Sequence, residues 1–425
     1  MLKKKSSINT YYDSEQSFEE EDNFEGSEYE LADSSEEVSY SEEEHELIEE
    51  SQYGSDDEEI NKNMSFWVPY TDNQRLEAIQ LPNPPVSGTN KRMSQLTSPI
   101  DFFSLFMDDD LLQHICSMTE IYYQKNKSSK QVSSQKKKKW VAPDLASLKC
   151  FLGVMLCMGM IKRPSYKDYW TSSKLFGTPG ISELMSCDHF EQIRNSLHFI
   201  NEDDCDKDDK LYKIRPLIEH FTNVSQSLYS PERELTIDES MIKFNGRSKF
   251  KVYMPLKPVK YGFKAYVLTE ASTGYLLNWS LYEGEKSSLV DIVSNLASPF
   301  AKNGYTIAMD RFYTTLETIS TLSELGFRVF GMITKNRARL TENITLSSKK
   351  LHRGNALFYC SNDKKTLLTI WKDTKLVHLV SNFGDNTFGE TQRRIKARDS
   401  DLSEITVTRP NTGCSRINCR RLFPI

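Results

Sequence analysis

Two aspartates in this 425-residue chain close apolar, strand-like runs: Leu235-Thr-Ile-Asp238 and Tyr305-Thr-Ile-Ala-Met-Asp310. Carboxylates at the ends of neighbouring strands are hard oxygen ligands for Mg²⁺ or Mn²⁺. Two such ions, roughly 4 Å apart, activate a nucleophile and steady a leaving oxygen in phosphoryl transfer. Taken alone the pair is also compatible with two turn caps, the commoner use of aspartate at a strand end. Glu239 follows Asp238 directly, but nothing in the spacing assigns it to the same site. After a turn at Asn245-Gly246 comes a basic run, Arg247, Lys249, Lys251, Lys257, Lys260 and Lys264. These six are candidate contacts to DNA phosphates, which bind with salt-dependent, largely sequence-independent affinity. The competing reading is a set of solvated strand edges.

The charge distribution points the same way. Residues 13–59 carry 22 Asp or Glu and no Lys or Arg, whereas residues 61–425 hold 51 Lys or Arg against 38 Asp or Glu. A basic body favours a polyanionic partner. The acidic stretch is poor in aliphatics and should be disordered; it is a candidate site for protein partners, and Ser34-Ser-Glu-Glu37 and Ser55-Asp-Asp-Glu58 resemble acidophilic-kinase substrates. Lys3 to Lys5 are followed by no apolar segment of a secretory signal. The longest apolar run, Cys150 to Ile161, has 12 residues, too few to span a bilayer. No membrane association is expected. Eight cysteines without a Cys-x-x-Cys form no disulfide or zinc pattern; Cys150 and Cys157 read as core residues.

The elements that must position the aspartates are legible by period. Residues 64–97 hold Pro82, Pro84 and Pro85 and read as a linker. A helical region starts near Pro99, and a helix from about Asp144, its N-cap, to Met160 has Leu145, Leu148, Phe151, Leu152, Met155 and Leu156 as its apolar face. Further helices are expected at 187–199 and 213–228, with the acidic segment 202–209 as a surface loop. From Glu234 the pattern turns to strands: 235–238, 262–269 and 275–282, then a helix over 287–300, a strand over 305–310, a helix over 314–325 and a strand over 327–334. That is a mixed α/β layer fold. Three runs at 356–360, 367–371 and 376–381 suggest an antiparallel meander, and 405–407 one more strand.

The pieces Leu235 to Lys264 (with Phe-Asn-Gly-Arg, Tyr-Met-Pro-Leu-Lys-Pro and Lys-Tyr-Gly-Phe-Lys) and Met309-Asp-Arg-Phe-Tyr-Thr-Thr315 resemble the core of piggyBac-type transposases. Pro99-Ile-Asp-Phe-Phe103, Met158-Gly-Met-Ile-Lys162 and Asp168-Tyr-Trp170 match as well. The resemblance covers about residues 97–410. It implies an RNase H-like catalytic core with a triad of aspartates, a preceding helical dimerisation and DNA-binding region, and an insertion between the second and third aspartates. The corresponding boundaries are a disordered acidic tail and linker at 1–96, the helical region at 97–232, the first part of the core at 233–336, a β-rich insertion at 337–403, and a return to the core with a divergent tail at 404–425. By the same resemblance Asp238 and Asp310 are the first and second metal-binding, catalytic aspartates. Arg311 stands where the family more often has Asn. The third aspartate belongs in a Gly-Gly-Val-Asp motif shortly after Val407-Thr-Arg-Pro410. No carboxylate side chain follows Glu404, so the expected triad is incomplete and the C-terminal part of the family pattern is missing.

The resemblance thus implies a nuclear, DNA-associated protein. Its ancestral activity is Mg²⁺- or Mn²⁺-dependent cleavage at transposon ends, followed by attack of the freed 3′-hydroxyl on a TTAA target. Loss of the third aspartate should impair that activity, and a homodimer is implied. A second reading is a non-catalytic DNA or chromatin adaptor. A third, a general RNase H-like nuclease, would cut duplex without transposon ends.

Overall fold

A computed structural model of the chain describes residues 66–71, 76–77, 80–90, 93–127, 139–173, 177–255, 257–284, 287–396 and 402–410. The acidic stretch 13–59, most of the lysine-rich break before Lys139, and Cys414 and Cys419 lie outside the described residues, as does their expected structure. Among the described residues no helix is long and apolar enough to cross a membrane.

After two short strands, the described residues form six α-helices: α1 Pro99–Phe106, α2 Asp109–Lys127, α3 Leu145–Met160, α4 Pro179–Leu184, α5 Cys187–Ser196 and α6 Arg215–Leu228. Their starts are written in the sequence. Ser98 and Asp101 form a reciprocal capping box with Pro99 at the first helical position, and Asp144 and Ser147 form a second box. Leu112, Leu148, Phe151, Val154, Phe190 and Ile193 pack one core. Helix α3 corrects its expected face. The buried stripe is Leu148, Phe151 and Val154, while Met155 and Leu156 are exposed. The helix is apolar almost all round, so periodicity alone could not choose its inward side. Cys150 and Cys157 are half-buried against this core.

The strands are β1 Trp67–Pro69, β2 Gly88–Thr89, β3 Tyr229–Ser230, β4 Glu234–Lys243, β5 Lys251–Tyr253, β6 Tyr261–Glu270, β7 Leu276–Leu281, β8 Thr306–Met309, β9 Arg328–Met332, β10 Ala356–Ser361, β11 Leu367–Lys372, β12 Leu376–Ser381, β13 Phe388–Lys396 and β14 Leu402–Pro410. Helices α7 Leu289–Ala297, α8 Leu316–Glu324 and α9 Glu342–Lys349 are interleaved with them. One sheet runs β1-β10-β11-β12-β9-β8-β4-β6-β5, with β7 also on β6. Its centre, β7-β6-β4-β8-β9, has two antiparallel pairs followed by two parallel ones. That is the RNase H-like arrangement of three meandering strands with two parallel strands reached through helices. Ile292, Val293 and Leu296 of α7 and Ile319 and Leu322 of α8 cover Leu235, Ile237, Ile307, Met309 and Val329 on one face. The short β8 is buried throughout, as a central parallel strand should be.

Strands β10 to β12 continue this sheet through β12, whose Leu379 to Ser381 pair with Met332 to Phe330 of β9. Trp67 corrects the expected linker. It is 2 % exposed, its indole N–H donates to the Ala338 carbonyl at 2.7 Å, and its strand pairs antiparallel with β10. A three-residue strand in a proline-rich context carries too short a pattern to be read from the sequence.

A candidate metal centre at the ends of two parallel strands

The register of β4 on β8 brings the two aspartates together. The strands run parallel, with Ile237 opposite Met309. The next residue on each, Asp238 in the middle of β4 and Asp310 just past the end of β8, therefore emerges at the same level, where the parallel pairing stops. In α/β sheets the carboxyl end of a parallel strand such as β8 is where ligands bind. Glu239 joins them: one carboxylate oxygen from each of Asp238, Glu239 and Asp310 lies within 4.8 Å of the others. Spacing alone does not single out Glu239, because neighbouring strand residues ordinarily point to opposite faces. Its one trace in the sequence is adjacency to Asp238.

Each carboxylate is held. Asp238 Oδ1 accepts the Glu239 backbone N–H at 2.8 Å. Asp310 Oδ1 accepts the N–H groups of Phe312 at 3.0 Å and Tyr313 at 3.2 Å, and the Thr314 hydroxyl donates to the Asp310 carbonyl at 2.6 Å. Arg337, beyond β9, fastens the same loop by donating to the carbonyls of Arg311 at 3.1 Å and Phe312 at 2.7 Å. The fully buried Tyr313 donates its hydroxyl to Glu239 Oε2 at 3.4 Å. Burial, then the charges of Glu239 and Asp310, push the Tyr313 phenol well above its ordinary range, so it stays a donor.

The six basic candidates separate. Arg247, Lys249 and Lys260 are exposed; Lys251 is half-buried, its ammonium donating to the Gly246 carbonyl at 3.3 Å. Lys257 turns inward, with Nζ 3.9 Å from Asp238 Oδ1 and 3.7 Å from Glu239 Oε1. Lys264 is not a surface contact to phosphate, contrary to expectation. It is 6 % exposed, with its ammonium 4.7 Å from the Phe312 ring centre and 5.4 Å from that of Tyr266. Its position on β6, two residues from the Tyr266 that pairs with Glu239, turns it to the carboxylates.

Electrostatics divides the two neighbouring acids. Burial and then the adjacent Glu239 charge push the Asp238 carboxyl up to about 8. Burial also opposes ionisation of Glu239, but Lys264 and then Lys257 outweigh it and hold that carboxyl below its ordinary range. Two carboxylates this close repel, which opposes full ionisation of the pair and raises Asp238 rather than Glu239.

The donor set fits a hard divalent cation. All three groups are oxygen ligands. Their oxygens all lie within 4.8 Å of one another, so modest side-chain shifts would bring them to bonds of about 2.1 Å on one Mg²⁺. Softer metals would call for the sulfur or imidazole that this cluster lacks.

The family model described as Transposase IS4 matches residues 98–411. Human PiggyBac transposable element-derived protein 2 is 26% identical over 306 residues, covering 68% of this chain and 49% of that protein. Human PiggyBac transposable element-derived protein 3 is 24% identical over 307 residues, covering 69% of this chain and 49% of that protein. This chain thus spans about half the length of these curated relatives. Among solved structures, the cryo-EM structure of a piggyBac transposase synaptic complex with hairpin DNA superposes with a TM-score of 0.58 at 22% identity, over 71% of this chain and 64% of that one. With the match running from the first helix cap to the far end of β14, across both strand-end aspartates, the chain belongs to the Transposase IS4 family and is of its piggyBac type.

Proposed function

We propose that this is a piggyBac transposase-derived, DNA-associated nuclear protein in which Asp238, Glu239 and Asp310 bind Mg²⁺ or Mn²⁺. The observation that carries the reading is the convergence of three carboxylates where the parallel pairing of β4 and β8 ends. A bound cation would supply Lewis-acid polarisation of a phosphodiester and a more acidic water. The chain's own residues prepare for it. The Phe312 and Tyr313 amides fix Asp310, Tyr313 orients Glu239, and Arg337 holds the loop that carries Asp310. The exposed Arg247, Lys249 and Lys260 are suited to track a phosphate backbone near this site. The solved relative is a synaptic complex with hairpin DNA, which supports DNA as partner and assembly of more than one chain. In this reading the DNA partners are transposon ends and a TTAA target, and the chain acts as a homodimer.

Among the described residues the third carboxylate is Glu239, which comes from the same strand as Asp238 and not from a separate element. A non-catalytic adaptor role is the second reading. A nicking assay on transposon-end DNA, with Mg²⁺ or Mn²⁺ and with Asp238→Ala as control, separates them. Residual metal-dependent nicking abolished by Asp238→Ala supports the enzyme; salt-sensitive binding without nicking supports the adaptor. Absence of DNA binding at low salt would sink both.

A further inference from the structure

We infer that Lys257 is the resident counter-ion of this carboxylate cluster and must leave Asp238 and Glu239 when a divalent cation enters. This deepens the reading of Asp238, Glu239 and Asp310 as a metal centre and rests on it.

The argument is one of position and freedom. Lys257 lies in the connection between β5 and β6, and its ammonium reaches both neighbouring carboxylates at 3.9 and 3.7 Å. These separations mark ion pairs rather than close hydrogen bonds, so the ammonium holds its place by charge and not by a fitted geometry. The Glu239 side chain is only 7% exposed. Such a group needs a nearby positive charge, because an isolated buried carboxylate is strongly unfavourable. Two lysines supply it, and they differ in kind. Lys264 is buried between the rings of Phe312 and Tyr266 and has no route outward. The Lys257 side chain is 31% exposed, and its flexible four-carbon stem lets the head group swing into water. A dication bound by Asp238 and Glu239 would stand against this ammonium, and like charges at such distance repel. Lys264 is therefore the permanent part of the charge balance and Lys257 the exchangeable part. Once released, the Lys257 ammonium would be free to meet a DNA phosphate in the metal-bound state.

The test is a Mn²⁺ titration of the full chain followed by the paramagnetic resonance signal of free Mn²⁺, with no nucleic acid present. Lys257→Gln removes the competing charge, and its Mn²⁺ Kd should fall roughly tenfold, the scale of one charge pair about 4 Å apart in a partly screened setting. Lys257→Arg keeps the charge, controls for folding, and should bind within about twofold of wild type on the same argument. A Lys257→Gln Kd equal to or weaker than wild type would overturn the inference while leaving the metal centre standing. Asp238→Asn binding Mn²⁺ as tightly as wild type would overturn the metal-centre reading, and this inference with it. As a second readout, Mn²⁺ should raise the affinity of wild type for a short duplex more than it raises that of Lys257→Gln; equal gains would remove the phosphate role.

Discussion

Gly331 of β9 controls the loop that carries Asp310, although it touches no candidate ligand. It lies opposite Met309, the residue before Asp310. A Cβ added there would stand 2.2 Å from Thr314 Oγ1, 3.1 Å from Thr314 Cγ2 and 2.8 Å from the Met309 carbonyl oxygen. Thr314 has no exposed surface, and its hydroxyl holds the Asp310 carbonyl. Gly331→Ala therefore forces the threonine aside. Overpacking a tight core costs about 1–3 kcal/mol, and breaking a buried hydrogen bond adds about 1–3 kcal/mol. The single substitution should cost roughly 2–6 kcal/mol in urea unfolding. Thr314→Ala alone should cost about 1–2 kcal/mol, chiefly for the lost hydroxyl bond. In the double variant the colliding hydroxyl and methyl are already gone when the new Cβ arrives. Its total should fall at least about 1 kcal/mol short of the sum of the singles, as residues in direct contact couple. Costs that add to within about 0.5 kcal/mol would refute the proposed collision. Mn²⁺ affinity gives an independent check: it should weaken in Gly331→Ala, because Asp310 hangs from the displaced loop.

Three further outcomes are expected. Trp67→Ala should cost about 3–5 kcal/mol by urea unfolding, since it empties a core site and leaves the Ala338 carbonyl without its donor; a cost near zero would mean that the 66–70 segment does not brace the sheet. Lys264→Met removes the charge that most depresses Glu239. A carboxyl with a lowered folded value contributes stability above its unfolded value, lost as pH falls through the folded one. The gap in urea midpoint between wild type and this variant should thus be widest near neutral pH and close in acid; a gap constant with pH would exclude the pairing. His378 is pushed below its usual range by burial and then by Lys335. An imidazole with a depressed folded value contributes stability that is complete above its unfolded value and declines as pH falls below it. His378→Gln should therefore reduce the loss of Tm between pH 7.5 and 5.5 (set to straddle the ordinary imidazole value of about 6.5); an unchanged loss would remove His378 as its source.

How much of this was legible depended on the length of each pattern. Helix α3 and its Asp144 cap were readable because a capping residue and many apolar positions coincide. Strands β6, β8 and β9 were readable because each is an apolar run ended by turn residues, and the order of strands and helices set the layer class; of β4 only 235–238 was read, because Glu239, Ser240 and Lys243 break the apolar run. The inward face of α3 was not, because Met155 and Leu156 are as apolar as the buried Leu148 and Phe151. The strand at Trp67 was hidden by its shortness and by a partner, β10, almost 300 positions away. Local propensity does not carry such long-range pairings.

The site shows the same limit in its chemistry. Asp238 and Asp310 were suspected as strand-end residues; Asp310 is one, but β4 runs on to Lys243, and it is the parallel register of β4 on β8 that delivers both to one level. The lysines could not be sorted that way. Lys249, Lys257 and Lys264 are alike as residues, but they divide into an exposed cation, an exchangeable counter-ion and a buried one. The pairing of β4 with β6 does the sorting. Glu239 sits across from Tyr266, and residues two apart on a strand share a face, which turns Lys264 to the acid rather than to solvent. Once one buried cation offsets Glu239, the second acid, Asp238, meets burial and a neighbouring negative charge with less compensation, and it retains its proton. A cation entering the site must therefore displace both that proton and Lys257. Its binding should tighten as pH rises toward about 8, with proton uptake by buffer during a Mn²⁺ titration as the direct measure. Binding with no proton released at about pH 6.5, below the raised Asp238 value, would refute the displacement of a proton from Asp238.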